Sequence, residues 1–163
     1  EHCVVSCNDD NICVKSGRGA QAQAQGKTAR DITIRHCELR HGSGITLGSE
    51  TSGGIERVTI EHNRFIGTGV GFRIKSARNR GGWIRDITVR HLTLEDVRFP
   101  FMMQLNWFPQ YSYAGPENDA DMPPHWVALA QGVDGMDGLT RVADITLEHI
   151  HATLSEPHVF SRA

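Results

Sequence analysis

The chain has 163 residues, with 17 Lys and Arg against 19 Asp and Glu, a formal charge of −2. That length suits one domain, and the near-neutral balance offers nucleic acid or an anionic membrane surface nothing to hold. At 39% hydrophobic and 22% charged, the composition is that of a folded globular chain, without an 18-residue apolar run to span a bilayer.

The chain opens on Glu1-His2-Cys3-Val4-Val5, without Met or a charged-then-apolar leader, so the start of the protein is expected to lie upstream. Cys3, Cys7, Cys13 and Cys37 fit neither paired zinc spacing nor a dense disulfide framework. Free thiols, mostly buried, are expected, with one disulfide left open.

Taken in order, the chain repeats itself. Four segments share one pattern: Arg30-Asp31-Ile32-Thr33-Ile34-Arg35-His36-Cys37, Arg57-Val58-Thr59-Ile60-Glu61-His62-Asn63, Arg85-Asp86-Ile87-Thr88-Val89-Arg90-His91-Leu92 and Ala143-Asp144-Ile145-Thr146-Leu147-Glu148-His149-Ile150. Each alternates polar with aliphatic residues at period two, the mark of a strand. From the first apolar position the steps run 32 to 58, 58 to 87 and 87 to 145, which is 26, 29 and twice 29. A near-constant step of short strands describes a solenoid coil.

A second strand belongs to each coil: Asp9–Ser16, Gly42–Ser49 and Gly69–Ser76. Their alternation sends Ile12, Ile45 and Phe72 inward with Val14, Leu47 and Ile74, and turns Cys13, Thr46 and Arg73 outward with Lys15, Gly48 and Lys75. Short strands, 17 glycines and no amphipathic helix predict an all-β, right-handed, single-stranded parallel β-helix, truncated at its N-terminal side.

Two segments interrupt the period. Gly19-Ala20-Gln21-Ala22-Gln23-Ala24-Gln25-Gly26 has low complexity and is expected to be mobile. Residues 104–138 read as a long loop excursion, whose Asn106-Trp107-Phe108-Pro109-Gln110-Tyr111-Ser112-Tyr113 serves either as a sugar-stacking platform or as packing. Five of the nine His (His2, His36, His62, His91 and His149) share one repeat position, which predicts a structural ladder at a turn rather than a metal site.

The chemistry concentrates on the second strands. Asp9 and Asp10 stand above Gly42-Ser43-Gly44, and these above Arg73 and Lys75, so an acidic pair faces a basic pair across small residues. Two adjacent carboxylates repel, so one is expected to have a raised pKa and to act as a general acid at mild pH. Both serve one site only if the chain bends between Asn8 and Asn11. An acidic turn or a calcium loop accounts for the same dipeptide. Arg73-Ile74-Lys75 presents two cations that suit a carboxylate-bearing substrate.

The ordered set Asn8-Asp9-Asp10-Asn11, His41-Gly42-Ser43-Gly44 with Gly48-Ser49-Glu50-Thr51-Ser52-Gly53-Gly54, and Arg73-Ile74-Lys75 resembles glycoside hydrolase family 28, the polygalacturonases and their relatives, in particular the bacterial branch. The resemblance implies an inverting, cofactor-free and metal-free hydrolase of pectic or other uronic-acid polysaccharides. Asp9 would protonate the leaving oxygen, Asp10 would help activate water, and Arg73 and Lys75 would bind the uronate. Such inversion suits carboxyls roughly 6.5–9.5 Å apart. Ser43 stands where the family's Gly-His-Gly motif has its histidine, and His41 is the candidate to replace it. The family's Asn-Thr-Asp motif, which supplies a third carboxylate, would lie one coil before Asp9-Asp10, upstream of Glu1, so the chain alone is expected to be inactive.

The expected partner is therefore a uronate-bearing polysaccharide or oligosaccharide, with no nucleic acid and no membrane, and the expected location is secreted or periplasmic. Two other readings stay open at this point: a β-helix polysaccharide lyase and a non-catalytic carbohydrate-binding solenoid.

Overall fold

The computed structural model describes residues 1–107, 124 and 132–155, and every strand pairing within it is parallel. The first coil holds β1 (Val4–Cys7) and β2 (Ile12–Val14). The second holds β3 (Ala29–Arg35), β4 (Glu38–His41) and β5 (Ile45–Leu47). β6 (Ile55–Glu61), β7 (Arg64–Ile66) and β8 (Val70–Lys75) make the third, and the long β9 (Trp83–Glu95) with β10 (Phe99–Gln104) makes the fourth. β11 (Arg141–Val142) and β12 (Ile145–Thr153) pair with β9 as the next coil. The strands form an eight-stranded sheet and a four-stranded sheet ordered β10-β8-β5-β2, a right-handed parallel β-helix.

The repeat is the register. Ile32, Val58, Ile87 and Ile145 pair in one column, and Leu39, Phe65, Leu94 and Ala152 in another. Because β12 pairs directly with β9, the step of 58 is one enlarged coil rather than two. Ile45, Leu47, Ile55, Ile60, Phe65, Val89 and Leu94 are fully buried between the sheets. Each such side chain contributes roughly 1.5–3 kcal/mol through removal from water. β-branched residues suit these columns because their stiff side chains pack well on a pleated surface.

The five predicted histidines do stack, with ring centroids 5.0, 5.2, 4.7 and 4.7 Å apart and planes within 7°. All five have left-handed backbone, φ 53–56°. That conformation costs a non-glycine residue about 1–2 kcal/mol, which stacking at the inter-strand spacing helps offset. Beside them runs a row of alternating charge: Glu1 pairs with Arg35 at 2.5 Å and Glu61 with Arg90 at 2.8 Å, and Glu148 continues the row opposite Arg90. On the other side of the His column, Asn63 lies buried in line with Cys37. It accepts the Cys37 N–H at 2.9 Å and donates to the Ile34 carbonyl at 2.9 Å.

Two expectations change. The segment expected to be mobile forms a short helix, α1 (Gly19–Gln25), ended by Gly26 in the left-handed region at φ 59°. Alternating Ala and Gln are good helix formers, and the Gly19 N–H is fixed by the Ser52 hydroxyl at 2.9 Å. Of the four cysteines, all free, only Cys37 is buried, while Cys3 is exposed. Of the 104–138 excursion, the structure describes residues 104–107 and 132–138 together with 124; Phe108–Tyr113 lie outside the described residues.

Candidate active site

The four-stranded sheet carries the candidate residues on its outer face. Cys13, Thr46, Arg73 and Met102 form one row, and Lys75 pairs with Gln104 in the next. Asp10 precedes β2, after a bend at Asn8–Asp9 and before another at Asn11, as a shared site requires.

Asp10 does not stand apart from the cations across a floor of small residues. It meets them directly, over Thr46. One carboxylate oxygen, Oδ1, pairs with the Arg73 guanidinium and accepts the Thr46 hydroxyl at 2.8 Å. The other, Oδ2, accepts Lys75 Nζ at 2.7 Å and the Cys13 thiol at 3.4 Å. Arg73 Nε also donates to Thr46 Oγ1 at 3.2 Å. All three charged side chains are 7–8% exposed. The cations expected on the surface are covered because the Trp107 ring lies over both, its centroid 5.0 Å from Arg73 Cζ and 4.8 Å from Lys75 Nζ. The Trp107 backbone N–H donates to the Ser76 carbonyl at 2.8 Å.

The electrostatics follow. Burial works to raise the Asp10 pKa, but the hydrogen bonds from Lys75 and Thr46 and the Arg73 charge outweigh it, so the carboxyl lies below its ordinary value. For Asp10 the raised pKa expected of an acidic pair is thus reversed, because the adjacent charges are cations. Burial and the Asp10 charge push the Cys13 thiol up to about 11, which keeps it protonated and un-nucleophilic at neutral pH. Beside the cluster, Lys15 pairs with Glu50 at 2.5 Å.

Asp9 is exposed next to Asp10 in the chain, and His41 is exposed at the end of β4 in the other sheet. The Asp9 carboxylate accepts the Asp10 N–H at 2.8 Å, and its carbonyl accepts the Ser43 N–H at 2.8 Å. His41 ends β4, opposite Cys7, with left-handed backbone at φ 52°. Gly42 and Gly44 hold this corner closed: a Cβ would lie 2.6 Å from the Asp9 carbonyl at Gly42 and 2.1 Å from the Val70 carbonyl at Gly44, both at positive φ. Asn11 laces the coils, donating to the Val5 and Arg40 carbonyls at 3.2 Å and accepting the Gly44 N–H at 2.8 Å.

The structure therefore brings Asp10, Arg73 and Lys75 into contact, with Asp9 next to Asp10 in the chain, and records no contact of His41 with this cluster among the described residues. Sequence reasoning passed over Thr46 as a site residue, although its place as the one polar residue in Ile45-Thr46-Leu47, in register with Arg73, marks it. No group of three or more His, Cys, Asp and Glu side chains among the described residues is arranged to hold a metal ion. None of the described helices is long and apolar enough to cross a membrane.

Comparison with known proteins supplies the context. The family model described as glycosyl hydrolases family 28 matches residues 1–122. A "Probable polygalacturonase" of Vitis vinifera is 33% identical over 139 residues, covering 84% of this chain and 27% of that protein. An endo-polygalacturonase of Pectobacterium carotovorum subsp. carotovorum is 30% identical over 102 residues, covering 63% of this chain and 24% of its own length. In fold, the family 28 exopolygalacturonase of Yersinia enterocolitica matches 93% of this chain and 24% of its own at a TM-score of 0.69 and 24% identity. The chain thus spans about a quarter of the length of these curated relatives.

Proposed function

Because the chain belongs to glycosyl hydrolase family 28, we propose that the protein cleaves glycosidic bonds of pectic or other uronate-rich polysaccharides by hydrolysis with inversion, and that Asp10 and its two cations are the centre of the site. The chain contributes part of a single β-helix catalytic domain. The observation that carries the reading is the Asp10 carboxylate held by Arg73 and Lys75 on the outer face of the four-stranded sheet.

In this reading Asp9, exposed at the rim, gives a proton to the leaving glycosidic oxygen as that bond to the anomeric carbon breaks. Asp10, kept ionised by its neighbours, takes a proton from the water that forms the new bond from the opposite face. Arg73 and Lys75 serve both Asp10 and the uronate carboxylate, and His41 takes the place of the histidine that the family motif sets at Ser43. No cofactor enters the reaction. A polymeric substrate of this kind places the protein outside the cytoplasm, secreted or periplasmic, in the degradation of cell-wall pectin.

The test is product chemistry on polygalacturonate. New saturated reducing ends without ultraviolet-absorbing unsaturated sugars are expected; unsaturated products would assign a lyase, and binding without cleavage would assign a carbohydrate-binding solenoid.

A further inference from the structure

A second charged groove lies on β9 and β11, beyond the corner at residues 76–82 that follows Lys75. It encloses about 410 Å³ and is lined by Trp83, Arg85, Arg141 and Ala143. Trp83 pairs in register with Arg141, and the same offset sets Arg85 opposite Ala143.

The row through Arg85 is an alternating charge row that stops. Arg30, Glu56 and Arg85 are consecutive rungs, and a fourth, acidic rung would continue them, as Glu148 does opposite Arg90. Ala143 stands there instead. Among the described residues, Glu56 is the carboxylate hydrogen-bonded to this end of the row, and it is shared: Oε1 accepts Arg57 at 2.7 Å, while Oε2 accepts Arg85 at 2.7 Å and the Trp83 indole N–H at 3.2 Å. The next acid, Asp86, is 4.0 Å from Arg85, whose side chain is half exposed. Arg141 is exposed and makes no ion pair among the described residues.

The indole is fixed. Gly54 packs against it so closely that a Cβ there would come within 2.3 Å of Cε2, and the Arg85 guanidinium lies 5.5 Å from the ring centre. A rigid half-buried indole with the Arg85 guanidinium beside it and Arg141 on the rung paired with it is complementary to a sugar ring that carries a carboxylate. The ring's C–H face stacks on the indole, and the acid supplies the negative rung between Arg85 and Arg141. We propose that this groove is a second, non-catalytic site for uronate-bearing sugars. Its chemistry stands on these residues, and only the choice of galacturonate as probe rests on the function proposed above.

The experiment titrates galacturonate monomer into the full protein, followed through the Trp83 indole N–H signal by NMR, assigned with Trp83→Phe. Galactose and acetate run in parallel. Galacturonate is expected to shift the Trp83 signal saturably, with Arg141→Gln weakening that response about tenfold and leaving polygalacturonate cleavage and the melting temperature unchanged. Arg73→Gln should leave the Trp83 response intact. An unmoved Trp83 signal, an Arg141→Gln response equal to the parent's, or acetate binding as tightly as galacturonate would overturn the proposal. If polygalacturonate is not cleaved but the Arg141-dependent response is present, the function reading fails and this site stands; cleavage without the response gives the reverse.

Discussion

Lys75 Nζ reaches Asp10 Oδ2 at 2.7 Å across the whole of the intervening coil, joining residues 65 apart in the chain. Parallel stacking makes that contact possible: β2, β5 and β8 hold their outer side chains in register, so a carboxylate on the first coil and cations on the third meet above Thr46. The cluster is both a cross-coil fastener and the candidate site, and its two roles can be measured separately.

Asp10→Asn removes the charge that compensates two buried cations. Breaking one side of a buried ion pair leaves an uncompensated charge, at a cost of about 3–5 kcal/mol. Chemical denaturation should show this loss, whereas Asp9→Asn, at an exposed carboxylate, should stay within about 0.5 kcal/mol of the parent.

Acid should act through the same residue. The Asp10 pKa is lowered in the folded chain: burial opposes the shift, and Lys75, Thr46 and Arg73 outweigh it. Its stabilising contribution is therefore fully present above the ordinary carboxylate pKa of about 3.9 and is lost as pH falls through the lower folded value. Denaturation midpoints taken downward from pH 6 should fall, and fall less steeply in Asp10→Asn, which lacks this one titration.

Gly44 and Gly67 share a left-handed backbone, φ 69° and 62°, but differ in surroundings. A Cβ at Gly67 meets open space, while one at Gly44 would lie 2.1 Å from the Val70 carbonyl. Gly67→Ala should cost about 1 kcal/mol, the conformational penalty alone, and Gly44→Ala several-fold more, read as the difference in unfolding free energy.

Asn63→Ala deletes both hydrogen bonds that a fully buried side chain makes to the second coil. Leaving the Cys37 N–H and the Ile34 carbonyl without partners should destabilise the chain by about 2–3 kcal/mol, with hydrogen exchange at the Cys37 amide rising in step.

Much of this architecture is legible in the sequence because a solenoid repeats one solution. The Arg-Asp-Ile-Thr pattern at steps of 26 and 29 is the strand register itself, and the five equivalent histidines are the stacked column. The outward turn of Arg73 and Lys75 toward the neighbouring coils was likewise legible, since outward positions on stacked strands must face one another. Their contacts were not. Whether Asp10 faces Asp9 or turns toward Arg73 is decided by bends at Asn8–Asp9 and Asn11, which period-two alternation cannot describe. The position of Trp107 over both cations belongs to a non-repeating segment and has no counterpart on another coil. The helix at Gly19–Gln25 was missed for a related reason: low complexity concealed a run of good helix formers anchored by a single hydroxyl from Ser52.

The central claim is that the Asp10, Arg73 and Lys75 cluster runs glycoside hydrolysis, and the most direct measurement is the initial rate of reducing-end release from polygalacturonate in the full protein as parent, Asp10→Asn and Arg73→Gln, each assayed below its own melting temperature. The account predicts loss of at least about a hundredfold in Asp10→Asn, the scale of a lost general base, and a marked loss in Arg73→Gln. Rates in both variants equal to the parent's, with the fold intact, would contradict it.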